Sequence, residues 1–232
     1  MLSLQNVQFV NTEFLCDKMG LMILASASSR RRKFLNSKLN GIDFDLVIAP
    51  ISENEPGSEI GVKVSTQVEE ICRFKANSAI SEISKKIPIN DIDLVLVSDT
   101  LLEDPDDSKI PIGKAVSKED ALVMLLRLSG KRHKVWSSSA LLFPPGSKFQ
   151  QIKDNEEWSV SYWTDYSIVE FEKLSDNRII QLINGNSWEN KAGSYDIMGE
   201  ARKNLTLVEG DEVTVLGFSI RMIDTMMKII NQ

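Results

Sequence analysis

The sequence predicts an α/β protein, the class in which helices pack on a sheet. Apolar runs of strand length alternate along the chain with amphipathic runs of helix length. One short run, Leu94–Val97, is apolar at every position, which is typical of a strand covered on both faces. No internal repeat and no low-complexity linker divides the 232 residues. We therefore expect an extension over residues 1–20 and one domain over residues 21–232.

The predicted strands and helices alternate from the first strand to the last helix. Strands are expected at Met22–Ala25, Phe44–Ala49, Leu94–Ser98, Lys134–Phe143, Trp158–Phe171 and Leu205–Val215. Helices are expected at Arg30–Leu39, Thr66–Glu82, Ser117–Leu128, Asp176–Asn184 and Phe218–Ile230. Two other segments, Glu103–Lys109 and Pro144–Glu157, are expected to be surface loops.

Local sequence gives the boundaries of several elements. Small hydroxyl residues at positions 26–29 separate the first strand from the first helix. The second helix has an apolar stripe at helical spacing that includes Ile71 and Cys72. In the third, Ser117 and Asp120 resemble a capping box, and Gly130 follows the last apolar residue.

Composition narrows the function classes. The net charge of −6 argues against a nucleic-acid-binding surface, whereas clusters of cations in an acidic chain point to a small anionic ligand. Cys16 and Cys72 form neither a disulfide framework nor a zinc site, so we expect a buried Cys72 thiol and a reducing, cytoplasmic setting. No run of about 18 apolar residues predicts a membrane span. Residues 1–20 lack the basic start and apolar run of a secretory signal.

A candidate anion site lies where the first strand leads into the first helix. Ser26 and Ser28 are followed by Arg30, Arg31 and further cations in the first helical turn. Unpaired backbone N–H groups and the helix dipole favour an anion at a helix N-terminus, whereas cations there are unfavourable unless an anion binds. A polyphosphate would offset that cost. The segment taken alone also fits a solvated basic turn.

Two charged residues are associated with predicted apolar elements. Asp99 directly follows the apolar strand, at the end where open α/β sheets bind ligands, although a turn aspartate would also fit. Lys75 lies on the apolar stripe of the second helix, so its ammonium must reach an anion, a paired acid or solvent.

Three further polar residues carry weaker signals. Lys114 follows Gly113 just before the third helix, where it could present a point charge to a ligand. Glu53 fits either a loop acid or a metal ligand. His133 is the single histidine of the chain, which excludes a histidine-rich metal site and favours a structural role. Neither a P-loop nor a Gly-x-Gly-x-x-Gly pattern is present.

Taken together, these segments resemble the Maf family of nucleoside triphosphate pyrophosphatases. The segment Leu24–Arg32 is similar to the family's Ser-x-Ser-x-Arg-Arg opening, with Ser29 where proline is usual. The other matching segments are Glu53, Lys75, Ser98–Thr100, Gly113–Lys114, Leu126–His133, Thr164–Phe171 and Lys191–Tyr195. The resemblance implies a bent mixed sheet flanked by helices, with two lobes and a central cleft. It also implies a metal-dependent hydrolase that cuts a nucleoside triphosphate between its α and β phosphates.

The resemblance implies a role for each matching residue. Asp99 would be the proton acceptor, with Lys75 and Lys114 as catalytic cations. Glu53 and Asp99 would hold a divalent cation: Mg²⁺, Mn²⁺ or Co²⁺. The implied substrate-binding residues are Ser26, Arg30, Arg31, Thr100 and Met198. A homodimer is expected, and neither nucleic acid nor membrane is an expected partner.

Base preference remains open at the sequence level. Arg30 and Thr100 match positions of the dTTP/UTP-type members, which favours those nucleotides. Met198, however, stands where those members have glutamine, and its sulfur is only a weak acceptor. A 7-methyl-GTP-type pyrophosphatase is therefore the alternative within the family. A nucleotide-binding regulator of cell division with little turnover is the alternative outside the enzyme class.

Overall fold

A computed structural model describes residues 20–52, 56–149, 157–186 and 188–231. Within these residues the strands are β1 (Gly20–Leu24), β2 (Phe44–Ile48), β3 (Leu94–Glu103), β4 (Pro111–Ile112), β5 (Arg132–Phe143), β6 (Ser159–Phe171) and β7 (Leu205–Glu209). The helices are α1 (Ser29–Lys38), α2 (Val64–Ile83), α3 (Lys118–Leu128), α4 (Asp176–Asn184), α5 (Glu212–Leu216) and α6 (Ile220–Ile230). The expected extension over residues 1–20 lies almost entirely outside the described residues.

The strands form one mixed sheet in the order β2-β1-β3-β5-β6-β7, with β4 paired to β3. Strand β1 is parallel to both β2 and β3, whereas β5, β6 and β7 follow in antiparallel pairs. The predicted α/β class and the mixed sheet flanked by helices are confirmed. None of the helices in the described ranges combines the length and apolar character needed to cross a bilayer.

Hydrophobic clusters pack against both ends of the long strands β3 and β5. At one end, Leu94 and Leu141 pack with α1 and α6, while Val95 and Leu142 pack with α2 on the other face of the sheet. At the other end, Leu102 and Val135 pack with α3 and α4. The expected two lobes correspond to these two ends.

A polar belt separates the two ends of the sheet. It consists of Ser98–Thr100 in β3, Ser137–Ser139 in β5, and Thr164 and Asp165 in β6, which are register partners across the three strands. Five of these eight residues, Ser98, Asp99 and Ser137–Ser139, are buried, and buried hydroxyl and carboxyl groups are costly unless they are hydrogen-bonded or functional. The belt is therefore the first place in this fold to look for a site.

Two expected strand ends are wrong. Strand β3 does not end before Asp99 but continues to Glu103, because β5 supplies an antiparallel partner as far as Leu102. The expected strand Leu205–Val215 ends at Glu209, where Gly210 (φ +87°) turns the chain into α5, capped by Asp211.

The acidic segment Glu103–Lys109 is more than a surface loop. Asp104 is 5% exposed, and both of its carboxylate oxygens accept hydrogen bonds from Arg127 of α3 at 2.7 Å. These bonds hold the pKa of Asp104 below its usual range. The segment therefore joins β3 to α3.

His133 has the structural role that its sequence context predicts. It is 2% exposed, and its Nε2 lies 2.8 Å from the Tyr195 hydroxyl. Burial lowers the pKa of His133 to about 4 from the ordinary 6.5, with the backbone of Lys131 acting weakly in the opposite direction. The imidazole is therefore neutral in the folded protein at neutral pH.

We expect acidification from pH 7.5 to 4.5 to destabilise the protein through His133. In the unfolded chain the imidazole takes up a proton near pH 6.5, whereas folded His133 does so only near pH 4, so the unfolded state binds more protons in between. The stabilisation is complete above pH 6.5 and is lost as the pH falls toward 4, by about 2 to 3 kcal/mol. Chemical denaturation at both pH values should show a smaller loss in His133→Gln. Equal losses in the two proteins would contradict the assignment.

Candidate active site

The loop between β1 and α1 is ordered by its own hydroxyl groups. Ser28 caps α1, its Oγ accepting from the backbone N–H of Arg31, and Ser26 Oγ accepts from the backbone N–H of Ser28. No acidic residue lies in the first turn of α1, where Arg30, Arg31 and Arg32 follow one another. The predicted cation-rich helix start is thus present.

Arg31 points into the protein. Its Nε donates to Gly217 O at 2.9 Å, its Nη1 to Ser98 O at 2.8 Å and to Ser26 Oγ at 3.2 Å, and its Nη2 to Thr100 Oγ1 at 2.8 Å. The residue is 8% exposed. Ser26 and Thr100, both predicted substrate contacts, are thus joined to Arg31 in one hydrogen-bonded group.

Asp99 and Lys75 form a buried ion pair on the opposite face of β3. Lys75 Nζ lies 2.5 Å from Asp99 Oδ1, and the two residues are 7% and 8% exposed. Side chains alternate along a strand, so Asp99 faces α2 while Ser98 and Thr100 face α1 and α6. The inward direction of Lys75 is confirmed, and its anion is the candidate catalytic carboxylate.

Cys72 lies one helical turn before Lys75 and is fully buried, as predicted. Burial raises the pKa of its thiol to about 11, with the nearby Asp99 carboxylate acting in the same direction. At neutral pH the thiol is therefore protonated and is neither a nucleophile nor a metal ligand.

A second cluster joins α1 to the chain before β7. Asp196 lies between two cations, with Oδ1 3.9 Å from Arg30 Nη1 and Oδ2 3.8 Å from Lys191 Nζ. The same Oδ1 accepts from the backbone N–H of Met198 at 3.0 Å, and the Met198 side chain is 66% exposed. Arg30 and Met198, both predicted specificity positions, thus flank one carboxylate.

Lys114 has an exposed side chain, and its backbone pairs with the segment that follows Lys191. It forms an isolated antiparallel bridge with Ala192, and Gly113 O accepts from the Gly193 N–H at 2.9 Å. Lys114 and Lys191 are therefore brought close by the pairing of their two segments.

The structure thus brings the described candidates into three local groups. These are Lys75 with Asp99, Ser26 with Arg31 and Thr100, and Arg30 with Met198 around Asp196, with Lys114 attached through Ala192. The three groups contain consecutive residues of the chain, because Thr100 follows Asp99 and Arg31 follows Arg30. Glu53, the predicted second metal ligand, lies outside the described residues.

Hydroxyl groups of β5 that support the Arg31 contacts were not predicted from the sequence. Ser98 Oγ lies 2.8 Å from Ser139 Oγ and 2.6 Å from Gly217 O, and Thr100 Oγ1 lies 3.0 Å from Ser137 Oγ. A usable signal was present, since three consecutive serines interrupt the apolar strand β5 at positions 137–139.

Asp99 is the one predicted metal ligand that lies within the described residues. Among those residues, His, Cys, Asp and Glu form no cluster of three or more. Mg²⁺ binds through one or two carboxylates, water and substrate phosphates. Asp99 offers such a carboxylate, and the neighbouring Cys72 is protonated, so the donor set favours an oxygen-binding ion.

Comparison with known proteins decides the family. A model of the Maf-like protein family matches residues 21–230. The chain belongs to this family. The dTTP/UTP pyrophosphatase of Clostridium botulinum (strain Kyoto / Type A2) is 33% identical to this Maf-family chain over 210 residues, covering 89% of the chain and 95% of the relative. A protein of the same name from Hydrogenovibrio crunogenus is 30% identical over 207 residues, with 89% and 94% covered.

Two other matches complete the comparison. The dTTP/UTP pyrophosphatase of Treponema denticola is 32% identical over 206 residues, covering 86% of the Maf-family chain and 92% of the relative. Among solved structures, the Ham1 protein of Staphylococcus aureus matches with a TM-score of 0.42 and 12% identity, over 90% of this chain and 98% of that one. That structural similarity is too low to bear on function.

Proposed function

We propose that this chain is a nucleoside triphosphate pyrophosphatase that converts dTTP and UTP to the monophosphate and pyrophosphate. The buried Lys75–Asp99 pair carries the proposal, because a carboxylate held beside a cation within a polar belt suits activation of water at a phosphate. Relatives that bear the name dTTP/UTP pyrophosphatase support both the reaction and the choice of nucleotides.

In the proposed reaction, Asp99 accepts the proton of a water molecule that attacks the α-phosphorus. A new phosphorus–oxygen bond forms on the nucleotide, the α–β anhydride bond breaks, and its electron pair leaves with pyrophosphate. Lys75 occupies Oδ1 of Asp99, and Oδ2 has no hydrogen-bond partner among the described residues, so Oδ2 is the oxygen for the proton. Lys75 holds the carboxylate in one orientation.

The other cations would bind the triphosphate and stabilise the charge that develops on the leaving group. Lys114 is exposed and could meet a phosphate as a compact charge. Arg30 reaches the same neighbourhood, where its guanidinium shares Asp196 with Lys191. A divalent ion held by Asp99 and Glu53 would supply further neutralisation of phosphate charge and orient water.

A 7-methyl-GTP-type activity is the second candidate, favoured by the surface around Asp196. A glutamine can both donate to and accept from the edge of a pyrimidine, whereas the exposed thioether of Met198 cannot donate. Asp196 adds acceptor-only oxygens beside Arg30. This surface is less suited to the mixed donor and acceptor edge of uracil and thymine than a glutamine would be.

We expect pyrophosphate release in the presence of Mg²⁺ to be fastest with dTTP and UTP in a panel of triphosphates that includes 7-methyl-GTP. Met198→Gln should raise kcat/KM for UTP, by about tenfold for one gained base contact. A preference for 7-methyl-GTP in the parent protein would select the second candidate.

Binding of triphosphates without release of pyrophosphate would favour the nucleotide-binding regulator instead.

A cytoplasmic location and a homodimer stay predictions; light scattering of the purified protein tests the dimer.

A further inference from the structure

The position of Arg31 differs from that expected of a phosphate ligand. Within the part of the chain that the structure describes, its guanidinium donates four hydrogen bonds to acceptors in three segments: the β1–α1 loop, β3, and the turn between α5 and α6. A planar guanidinium has its five donors in a fixed fork, so several simultaneous bonds also fix its orientation. We call Arg31 with Ser26, Ser98, Thr100 and Gly217 the Arg31 clamp.

Arg31 donates to a backbone carbonyl of β3 at the edge that β1 no longer covers. Strand β1 pairs with β3 only as far as Leu24 and Leu96, and the next residue, Ala25, donates its N–H to Leu96 O at 2.9 Å. The carbonyl of Ser98 points to the same side two residues later, where β1 has ended. Arg31 Nη1 donates to that carbonyl at 2.8 Å and so satisfies a backbone acceptor that would otherwise lack a partner strand.

The clamp holds the backbone on both sides of Asp99. Ser98 O belongs to the peptide unit that enters Asp99, and Thr100 follows it. The Thr100 contact lies on the face opposite the Asp99 carboxylate, which is paired with Lys75 on the α2 side, and the Ser98 contact lies at the edge of the strand. The backbone from which the carboxylate projects is therefore held by contacts that leave the carboxylate face open.

Gly217 closes the clamp at the turn before α6. Its φ is +115°, and a Cβ there would lie 2.8 Å from Arg31 Nε and 3.1 Å from Thr100 Oγ1. The carbonyl of Gly217 accepts from Arg31 Nε at 2.9 Å and from Ser98 Oγ at 2.6 Å. A side chain at position 217 would therefore strain the turn and push the Arg31 guanidinium away from this carbonyl.

We propose that Arg31 is a positioning residue for Asp99 rather than a ligand of the triphosphate. This inference rests on the proposed function, and it extends the machinery of the site to the α5–α6 turn. Fixing a catalytic group to within a fraction of an ångström governs turnover more than substrate binding. Loss of the clamp should therefore lower kcat and leave KM nearly unchanged.

The test compares Arg31→Lys with Arg32→Lys, a neighbouring exposed arginine of the same helix. Arg31→Lys keeps the charge but loses the fork, so we expect kcat to fall about 100-fold with KM within about threefold. Arg32→Lys should match the parent protein. A phosphate-binding Arg31 would instead give a raised KM with most of kcat retained by lysine, and that result would overturn the proposal.

Amide hydrogen exchange provides a readout that needs no activity. In Arg31→Lys, exchange should rise by about tenfold or more in peptides covering β3 and its partner β5, but not in those covering α3 and α4. Gly217→Ala disrupts the same contacts from the α5–α6 turn. It should lower kcat with little change in KM and raise exchange in the same peptides, so it serves as the test if Arg31→Lys does not fold. Unchanged exchange in β3 contradicts the clamp. Parent protein that hydrolyses no triphosphate would instead contradict the proposed function.

Discussion

Asp99→Asn should abolish pyrophosphate release, with kcat lower by about 10³-fold, while triphosphate binding persists. The asparagine oxygen can still accept from Lys75, which lies 2.5 Å from Asp99 Oδ1, so the fold has no unpaired ammonium to accommodate. The variant lacks the second carboxylate oxygen, Oδ2, which would take the proton of the attacking water. Measured without added divalent metal, binding loses only a repulsive negative charge beside the phosphates, so the dissociation constant should be equal to or below that of the parent protein.

Asp104→Asn is the matched control for this variant. Asp104 is also buried, also paired with a cation, and lies at the end of β3 away from Lys75. Its replacement should lower the free energy of unfolding but leave kcat per folded molecule unchanged. Single-turnover kinetics and calorimetric titration with a triphosphate give the two quantities. Normal turnover by Asp99→Asn would remove Asp99 from the role of proton acceptor.

The elements that the sequence predicts well are those whose signal is local. Helix α3 has a capping serine, an apolar stripe and a terminal glycine, and its start at Lys118 follows the predicted Ser117 cap. The inward-facing Lys75 could be predicted because a charge on an apolar stripe must find a partner. Asp99 is also predicted as a functional residue, but no local pattern joins Lys75 and Asp99 into one ion pair.

The features that the sequence analysis missed depend on pairing between distant segments. Strand β3 passes through Asp99 only because β5, almost 40 residues later in the register Asp99↔Ser138, offers it a partner. The local sequence around Arg31 likewise predicts a phosphate ligand. Its acceptors at Ser98, Thr100 and Gly217 lie 67, 69 and 186 residues away, and no local pattern carries that information.

Lys75→Met should destabilise the protein by about 3 to 5 kcal/mol and also remove most of its activity. Methionine fills the apolar stripe of α2 but leaves the Asp99 carboxylate, 8% exposed, without the ammonium that compensates its burial. An unpaired buried charge costs several times more than the net contribution of the pair. The measurement is urea denaturation at pH 7.5, with the activity assayed on the folded fraction.

The double variant Lys75→Met, Asp99→Asn separates burial of charge from loss of chemistry. With no carboxylate left to compensate, it should recover most of the stability that Lys75→Met loses, while hydrolysis stays absent. The stability changes of the two single variants should therefore not add, because the residues are joined at 2.5 Å in one buried pair. Additive stability changes would show that Lys75 and Asp99 act independently, and the orientation of the carboxylate would then need another source than this lysine.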